Sequence, residues 1–342
     1  MSKRMFLAAL LALGVAAALV AGTAGARSTV SLKGAGSSFV APLVGLWSQN
    51  YKAAEVSYSP IGSGGGVNAI TAKQVDFGAS DAPLTHDQFG ACPCVQIPWA
   101  LSATSVAYNI PGASPGLRIT GPIIADIYLG KIDFWDNAKI KKINQGKTIP
   151  HVKITPVFRS DASGTTYNFT DYLSKVSKEF KNKIGNGTQV DFGHTGIGAR
   201  GSSGVANTVK QTPGGVTYVD VAYSLKNHIK FFRVQNAAKK FVTPGIRAIQ
   251  SAASLVTKVP ANNEMHIVDP PAKGKYVNAY PICTFTYVIL QKSTGANAEA
   301  VKSFVKWALT KGQTVEGAQK LLFVPIPKLV QTKALKTLTQ VH

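Results

Sequence analysis

Three times along this chain, small residues and hydroxyls stand immediately before an apolar pattern of helical period: GAGSSF at 34–39, IGSGGG at 61–66 and RSDASGT at 159–165. A helix N-terminus exposes amide hydrogens without intrahelical partners and the positive end of the backbone dipole. Glycine lets a ligand approach them closely. The first segment leads into a helix whose apolar positions include Phe39, Leu43, Leu46 and Trp47, with Pro42 in the first turn, where no amide hydrogen is needed. The second follows a strand over 56–61 and opens a helix from Val67. The third follows a strand over 154–158 and opens a helix through Phe180, with Phe169, Tyr172, Leu173, Val176 and Phe180 on one face. Each segment is a candidate oxyanion cradle, and Arg159 adds a guanidinium suited to a bidentate grip. A Ser or Thr before a helix is also an ordinary N-cap, so the weight lies in the threefold recurrence.

Strand, loop and helix alternate elsewhere too. A strand over 75–79, a helix over 122–129 ending at Gly130, a strand over 287–290 and an amphipathic helix over 298–309 complete an α/β pattern. The chain's 342 residues allow two domains. Its composition, 45% hydrophobic and 15% charged, excludes a disordered or coiled-coil chain. The Gly/Ser-rich stretches 62–66 and 193–204 read as loops between elements, too short for interdomain linkers.

Lys3 and Arg4 precede an uncharged apolar run over 5–20 and the small residues Ala24-Gly25-Ala26, the pattern of a secretory signal cleaved after Ala26. No Cys follows those small residues, which argues against a lipid anchor, and the exported chain is expected in the periplasm or another extracytoplasmic space. There Cys92, Cys94 and Cys283 meet conditions in which disulfides persist. A Cys92–Cys94 bridge with Cys283 a buried thiol is favoured over a metal site, because a one-residue spacer is too tight for zinc. With 37 basic against 16 acidic side chains the formal charge is +21, which attracts anions: nucleic acid, an anionic membrane or a small anion.

Asp81, in VDFGASDAP just past a buried-looking strand, is out of place beside an anion unless the anion still carries a proton to donate. Monobasic and dibasic phosphate do, and sulfate near neutral pH does not. Other motifs lack parts. Gly146-Lys147-Thr148 has Lys141 where a phosphate-binding P-loop needs its first Gly. The stretch 196–201 formally matches a dinucleotide fingerprint, a match that glycine content alone can produce. There is no G-x-S-x-G elbow and no H-E-x-x-H helix. Lys139, Lys141, Lys142 and Lys147 read as a solvated face without the stacking aromatics of single-strand binders.

Taken together, GAGSSFVAPL, IGSGGGVNAIT, VDFGASDAPL, IYLGKIDFWD and RSDASGTTYNFTDYL, in this order, resemble the motif series of the periplasmic phosphate-binding protein of the phosphate-specific ABC importer, the PstS family. The resemblance runs from Gly34 past Tyr280-Pro281. It implies an α/β fold of two lobes in the type II periplasmic arrangement, each a mixed sheet flanked by helices, joined by a two-strand hinge. Lobe I would combine 27–107 with 284–342, and lobe II would span 108–283. It further implies that one phosphate is held by Ser38, Phe39 through its amide, Ser63 and Asp81 from lobe I, and by Arg159, Ser163, Gly164 and Thr165 from lobe II, with Asp161 pairing to Arg159. Ser38 stands where many relatives carry Thr and preserves the hydroxyl. The implied partners are inorganic phosphate and a membrane-embedded ABC permease with its cytoplasmic ATPase, for a monomer with no cofactor, no enzymatic activity and no specific nucleic acid. The Cys92-Pro93-Cys94 segment and the strongly basic balance are not part of the family pattern. A phosphatase or phosphotransferase on the same scaffold and a basic polyanion-adhesion protein are the competing expectations.

Overall fold

The computed structural model describes residues 30–342 apart from 194, 195 and 294; the expected leader, 1–26, lies outside the described residues. The chain begins β1 (Ser31–Gly36), α1 (Ala41–Asn50), β2 (Glu55–Ser59), α2 (Ser63–Thr71), β3 (Phe77–Ser80), α3 (His86–Ala91) and β4 (Cys94–Asn109). It continues with β5 (Arg118–Ile119), α4 (Gly121–Tyr128), α5 (Ala138–Ile143), β6 (Thr155–Arg159), α6 (Gly164–Val176), α7 (Lys178–Lys183), β7 (Ile197–Ala199), α8 (Gly201–Gln211) and β8 (Gly215–Asp220). Then come α9 (Val221–Lys226), β9 (Lys230–Phe231), β10 (Arg233–Gln235), β11 (Phe241–Val242), α10 (Ile246–Ala253), β12 (Cys283–Gln291), α11 (Ala298–Leu309) and α12 (Lys328–Leu338).

One curled mixed sheet runs in the order β2-β1-β3-β12-β4-β8-β6-β7, with β9 also on β4, and a small second sheet runs β11-β10-β5. The shared strand β4 divides the large sheet. Its residues from Cys94 to Ala103 pair antiparallel with β12, and those from Thr104 to Asn109 pair antiparallel with β8. Outward from this strand, β1 pairs parallel with β2 and β3, and β6 pairs parallel with β7 and β8. Both ends are therefore α/β layers built by strand-to-helix crossovers. Pro98 lies inside β4, where it cannot donate to the ladder, and the register with β12 shifts between Thr286 and Tyr287 beside it. All but the last of the sixteen β4 residues are buried, and the polar ones find partners: Ser105 Oγ donates to Val219 O at 3.0 Å and Thr104 Oγ1 accepts from Asn168 Nδ2 at 2.9 Å.

Each half is packed around its own aromatic group. Trp47 and Trp99 meet edge to face at 5.0 Å between centroids, and Phe77 joins Trp99 at 5.9 Å. In the other half Tyr128, Phe169 and Tyr218 associate, with Phe169 stacked on Tyr218 at 4.3 Å. All six rings are at most 1% exposed, so truncating either tryptophan to Ala costs roughly 3–5 kcal/mol.

Three local expectations are corrected. Helix α2 starts at Ser63, a turn before Val67. Its glycines are poor helix formers, but a Cβ on Gly66 would stand 2.9 Å from Ala79 O, so close packing on β1 and β3 overrides propensity. The helix expected through Phe180 breaks at Ser177, whose hydroxyl accepts from Phe180 N at 3.2 Å and starts α7. The stretch 193–204 holds β7 and the first turn of α8. The cysteines follow the favoured pairing: Cys92 and Cys94 are bridged, and Cys283 is a buried thiol whose pKa burial pushes up. No helix among the described residues is long and apolar enough to cross a membrane.

Candidate functional site

The N-terminal ends of α1, α2, α6 and α8 converge on one cleft. Each follows a parallel strand of the large sheet, β1, β2, β6 and β7 in turn, so the sheet aims all four. At α1 the Ser37 hydroxyl accepts from Phe39 N at 3.0 Å and donates to Asp81 Oδ1 at 2.5 Å. Ser63, the first residue of α2, accepts from Gly164 N at 3.0 Å and from Asp81 N at 3.3 Å. Ser163 caps α6 by accepting from Thr165 N at 3.1 Å and Thr166 N at 3.2 Å. At α8, Gly201 N donates to Asp161 Oδ1 at 3.0 Å and Ser202 N donates to Ser38 Oγ at 2.9 Å.

Several of these bonds join the two halves of the sheet. Gly164 N to Ser63, Gly64 N to Ala162 O at 3.0 Å and Ser202 to Ser38 span sequence separations of about a hundred residues or more. The backbones meet so closely that a Cβ on Gly164 would lie 2.6 Å from Ala82 N. That position admits only glycine in this closed arrangement.

Arg159 and Asp81 are buried here, and Asp161 beside them is partly exposed. The Arg159 guanidinium donates through Nε to Asp161 Oδ1 at 2.7 Å and through Nη2 to Oδ2 at 2.5 Å, a bidentate fork. Its backbone amide donates to Tyr218 OH at 3.1 Å, which anchors the end of β6. Burial works against the Asp161 carboxylate, but hydrogen bonds from Arg159 and its positive charge outweigh it and hold the pKa below the ordinary value. Asp81 is 2% exposed. Burial pushes it up to about 7, against the opposing effects of the Ser37 hydrogen bond, the Arg159 charge and the Ser63 hydrogen bond. The Thr165 hydroxyl is buried and has no hydrogen-bond partner among the described residues.

Every residue expected to hold phosphate, and Asp161 with them, therefore lies on one of these helix ends or beside it. Several already have protein partners: the Phe39 amide donates to Ser37, the Gly164 amide donates to Ser63, the Ser38 hydroxyl is bonded to Ser202, and the Ser163 hydroxyl accepts from its own helix. The sequence reading missed Ser37, which holds Asp81, and the Gly201-Ser202 end of α8. Its signal was present, since Gly201-Ser202-Ser203-Gly204 repeats the small-and-hydroxyl pattern of the three cradles ahead of a helix. It also missed Asp220, buried at the end of β8, whose Oδ1 accepts from Ala222 N at 2.9 Å. Burial raises its pKa well above the carboxylate range, and the charge of Asp81 adds to the effect.

Two α/β halves meeting over a cleft of helix N-termini define a two-lobed substrate-binding protein, and the model of the PBP superfamily domain matches residues 21–311. The phosphate-binding protein PstS of Xylella fastidiosa (strain 9a5c) is 40% identical over 305 residues, covering 87% of this chain and 82% of that protein. That of Haemophilus influenzae is 36% identical over 316 residues, covering 90% and 92%. This chain belongs to the PstS family. In fold it is similar to the phosphate-binding protein of Stenotrophomonas maltophilia, with a TM-score of 0.66 at 21% identity over 90% of this chain and 94% of that one. A high-affinity periplasmic phosphate-binding protein bound with phosphate gives 0.68 at 21% identity, covering 89% and 92%.

Proposed function

We propose that the protein captures one inorganic phosphate between its lobes outside the cytoplasm, after removal of a leader near Ala26, and delivers it as a monomer to a membrane-embedded ABC permease driven by a cytoplasmic ATPase. Lobe I combines 27–107 with 284–342, and lobe II spans 108–283. Phosphate is held by Ser38, the Phe39 amide, Ser63 and Asp81 on one side and by Arg159, Ser163, Gly164 and Thr165 on the other, while Asp161 fixes the guanidinium. The observation that carries this reading is the abutment of the α2 and α6 N-termini beside Asp81 and Arg159, with the buried Thr165 hydroxyl unpartnered there. The grip is mostly neutral dipoles, which gain strength where water is excluded.

Asp81 supplies the selectivity. Ionised, it accepts a hydrogen bond from a protonated phosphate oxygen, whereas sulfate sets lone pairs against it. Protonated, it can donate to either anion. Because its pKa stands at about 7, discrimination against sulfate grows as pH rises through that value. Calorimetry of the exported chain tests the reading. One phosphate per chain and comparable binding of arsenate are expected, with sulfate weaker by at least about a hundredfold at pH 8. Absence of phosphate binding would overturn the function, and equal sulfate binding would remove Asp81 as the discriminating group.

A further inference from the structure

A concentration of positive charge lies apart from the cleft and shares no residue with it. It lies on the small sheet, where two adjoining cavities of about 530 and about 630 Å³ share Val242, Thr243 and Asn278 and so form one groove. Arg118, Arg233 and Lys240 line one end, and Arg247 and Lys275 line the other. No acidic residue lines either cavity. Among the described residues, none of the five cations has a carboxylate within ion-pair distance, whereas Lys131, Lys139 and Lys302 elsewhere on the surface pair with Glu179, Asp126 and Glu299.

The arrangement carries an internal cost. Arg118 of β5 and Arg233 of β10 stand directly opposite in the parallel ladder, and like charges placed so repel. Neutral groups hold them in place. Arg118 lies over the Phe241 ring at 5.3 Å, Arg233 Nη2 donates to Phe241 O at 3.0 Å, and Lys240 Nζ donates to Asn278 Oδ1 at 3.0 Å. These contacts orient the cations and leave their charge uncompensated, which is the condition of a site awaiting an anion.

We propose that this groove binds linear inorganic polyphosphate through Arg118, Arg233, Lys240, Arg247 and Lys275. Cations spread along two joined cavities match a ligand that repeats its charge, and guanidinium forks match phosphoryl oxygens. Nucleic acid fits less well, because Phe241, the aromatic ring of the lining, already has Arg118 on its face and leaves no platform for a base. A lipid surface fits less well too, since none of the exposed large hydrophobic residues lines the groove.

The test is titration of the exported chain with linear polyphosphate of defined length, at low and at physiological salt. Wild type is compared with the double variant Arg118→Gln/Arg233→Gln and with the cleft variant Arg159→Ala. The double variant should lose at least about tenfold in polyphosphate affinity while keeping its affinity for inorganic phosphate and a melting temperature equal to or above wild type. Arg159→Ala and saturating inorganic phosphate should leave polyphosphate binding unchanged. If the double variant does not fold, Lys240→Gln/Arg247→Gln gives the same comparison at exposed positions. Undiminished polyphosphate binding in the folded groove variants overturns the proposal. So does competition by inorganic phosphate, which would seat the chain in the cleft, or tighter binding of single-stranded DNA or of anionic vesicles at equal salt.

Discussion

Asp81 and Asp161 are two carboxylates on opposite sides of one cleft, each beside a helix N-terminus, and their acidities are driven in opposite directions. Asp161 has a guanidinium fork and the Gly201 amide, so its charge is matched and its pKa lies below the ordinary value. Asp81 is almost fully buried among hydroxyls, the nearest from Ser37, and feels Arg159 only as a charge already committed to Asp161, so desolvation dominates and holds it at about 7. The difference shows how one cleft keeps a fixed cation and a proton-sensitive acceptor side by side. The ion pair makes Arg159 a permanent donor, and isolation makes Asp81 responsive to whether its neighbour carries a proton.

The strongest way to break this contrast is Asp81→Asn. Asp81 keeps its proton longer in the native protein than in the unfolded chain, so its contribution to native stability falls as pH rises from the ordinary carboxylate value to about 7 and is level above that. Urea denaturation in phosphate-free buffer should show wild type less stable at pH 8 than at pH 5, with about 2–3 kcal/mol of the difference due to Asp81. Asp81→Asn should remove the Asp81 share of that slope, leaving the share of buried Asp220, and relax discrimination between phosphate and sulfate more than it lowers phosphate affinity. An unchanged slope would mean that Asp81 titrates as an ordinary carboxylate.

Next in size is Arg159→Ala. It deletes the cleft's buried cation and leaves Asp161 facing the anion, so phosphate affinity should fall by about ten- to a hundredfold, corresponding to roughly 1.5–3 kcal/mol for a lost charge-assisted bond. Calorimetry showing wild-type affinity would take Arg159 out of the site. Ser163→Ala should act less, because the hydroxyl accepts two amide bonds that cap α6 and has only its O–H left for phosphate. About 1 kcal/mol of stability and about tenfold in affinity are expected, measured by thermal melting and by calorimetry on the same sample. Loss of stability without loss of affinity would reduce Ser163 to a cap.

Much of this was legible in sequence because capping chemistry is local. Ser163 reaches the amides two and three residues ahead, and Arg159 pairs with a residue two positions on, so RSDASGT already contains its half of the cleft. The α11 helix was equally legible, since its apolar period matches its observed bounds. Helix α2 was misplaced by a turn because its start is a run of glycines, whose helical state depends on packing against Gly36 and Ala79. The Gly201-Ser202 end of α8 was passed over because its partners, Ser38 and Asp161, lie far away in the chain.

By itself, then, the sequence determined the α/β alternation and the cradle ends, since each depends on periodicity or on contacts a few residues apart, and its motif series carried the resemblance to the family. The tertiary structure decided which helix ends meet. It placed Gly164 on Ser63 and Asp81 across a hundred residues and divided β4 between two partners. It also left Asp81 buried while pairing Asp161. Desolvation is a property of everything packed around a group, and no local pattern encodes it.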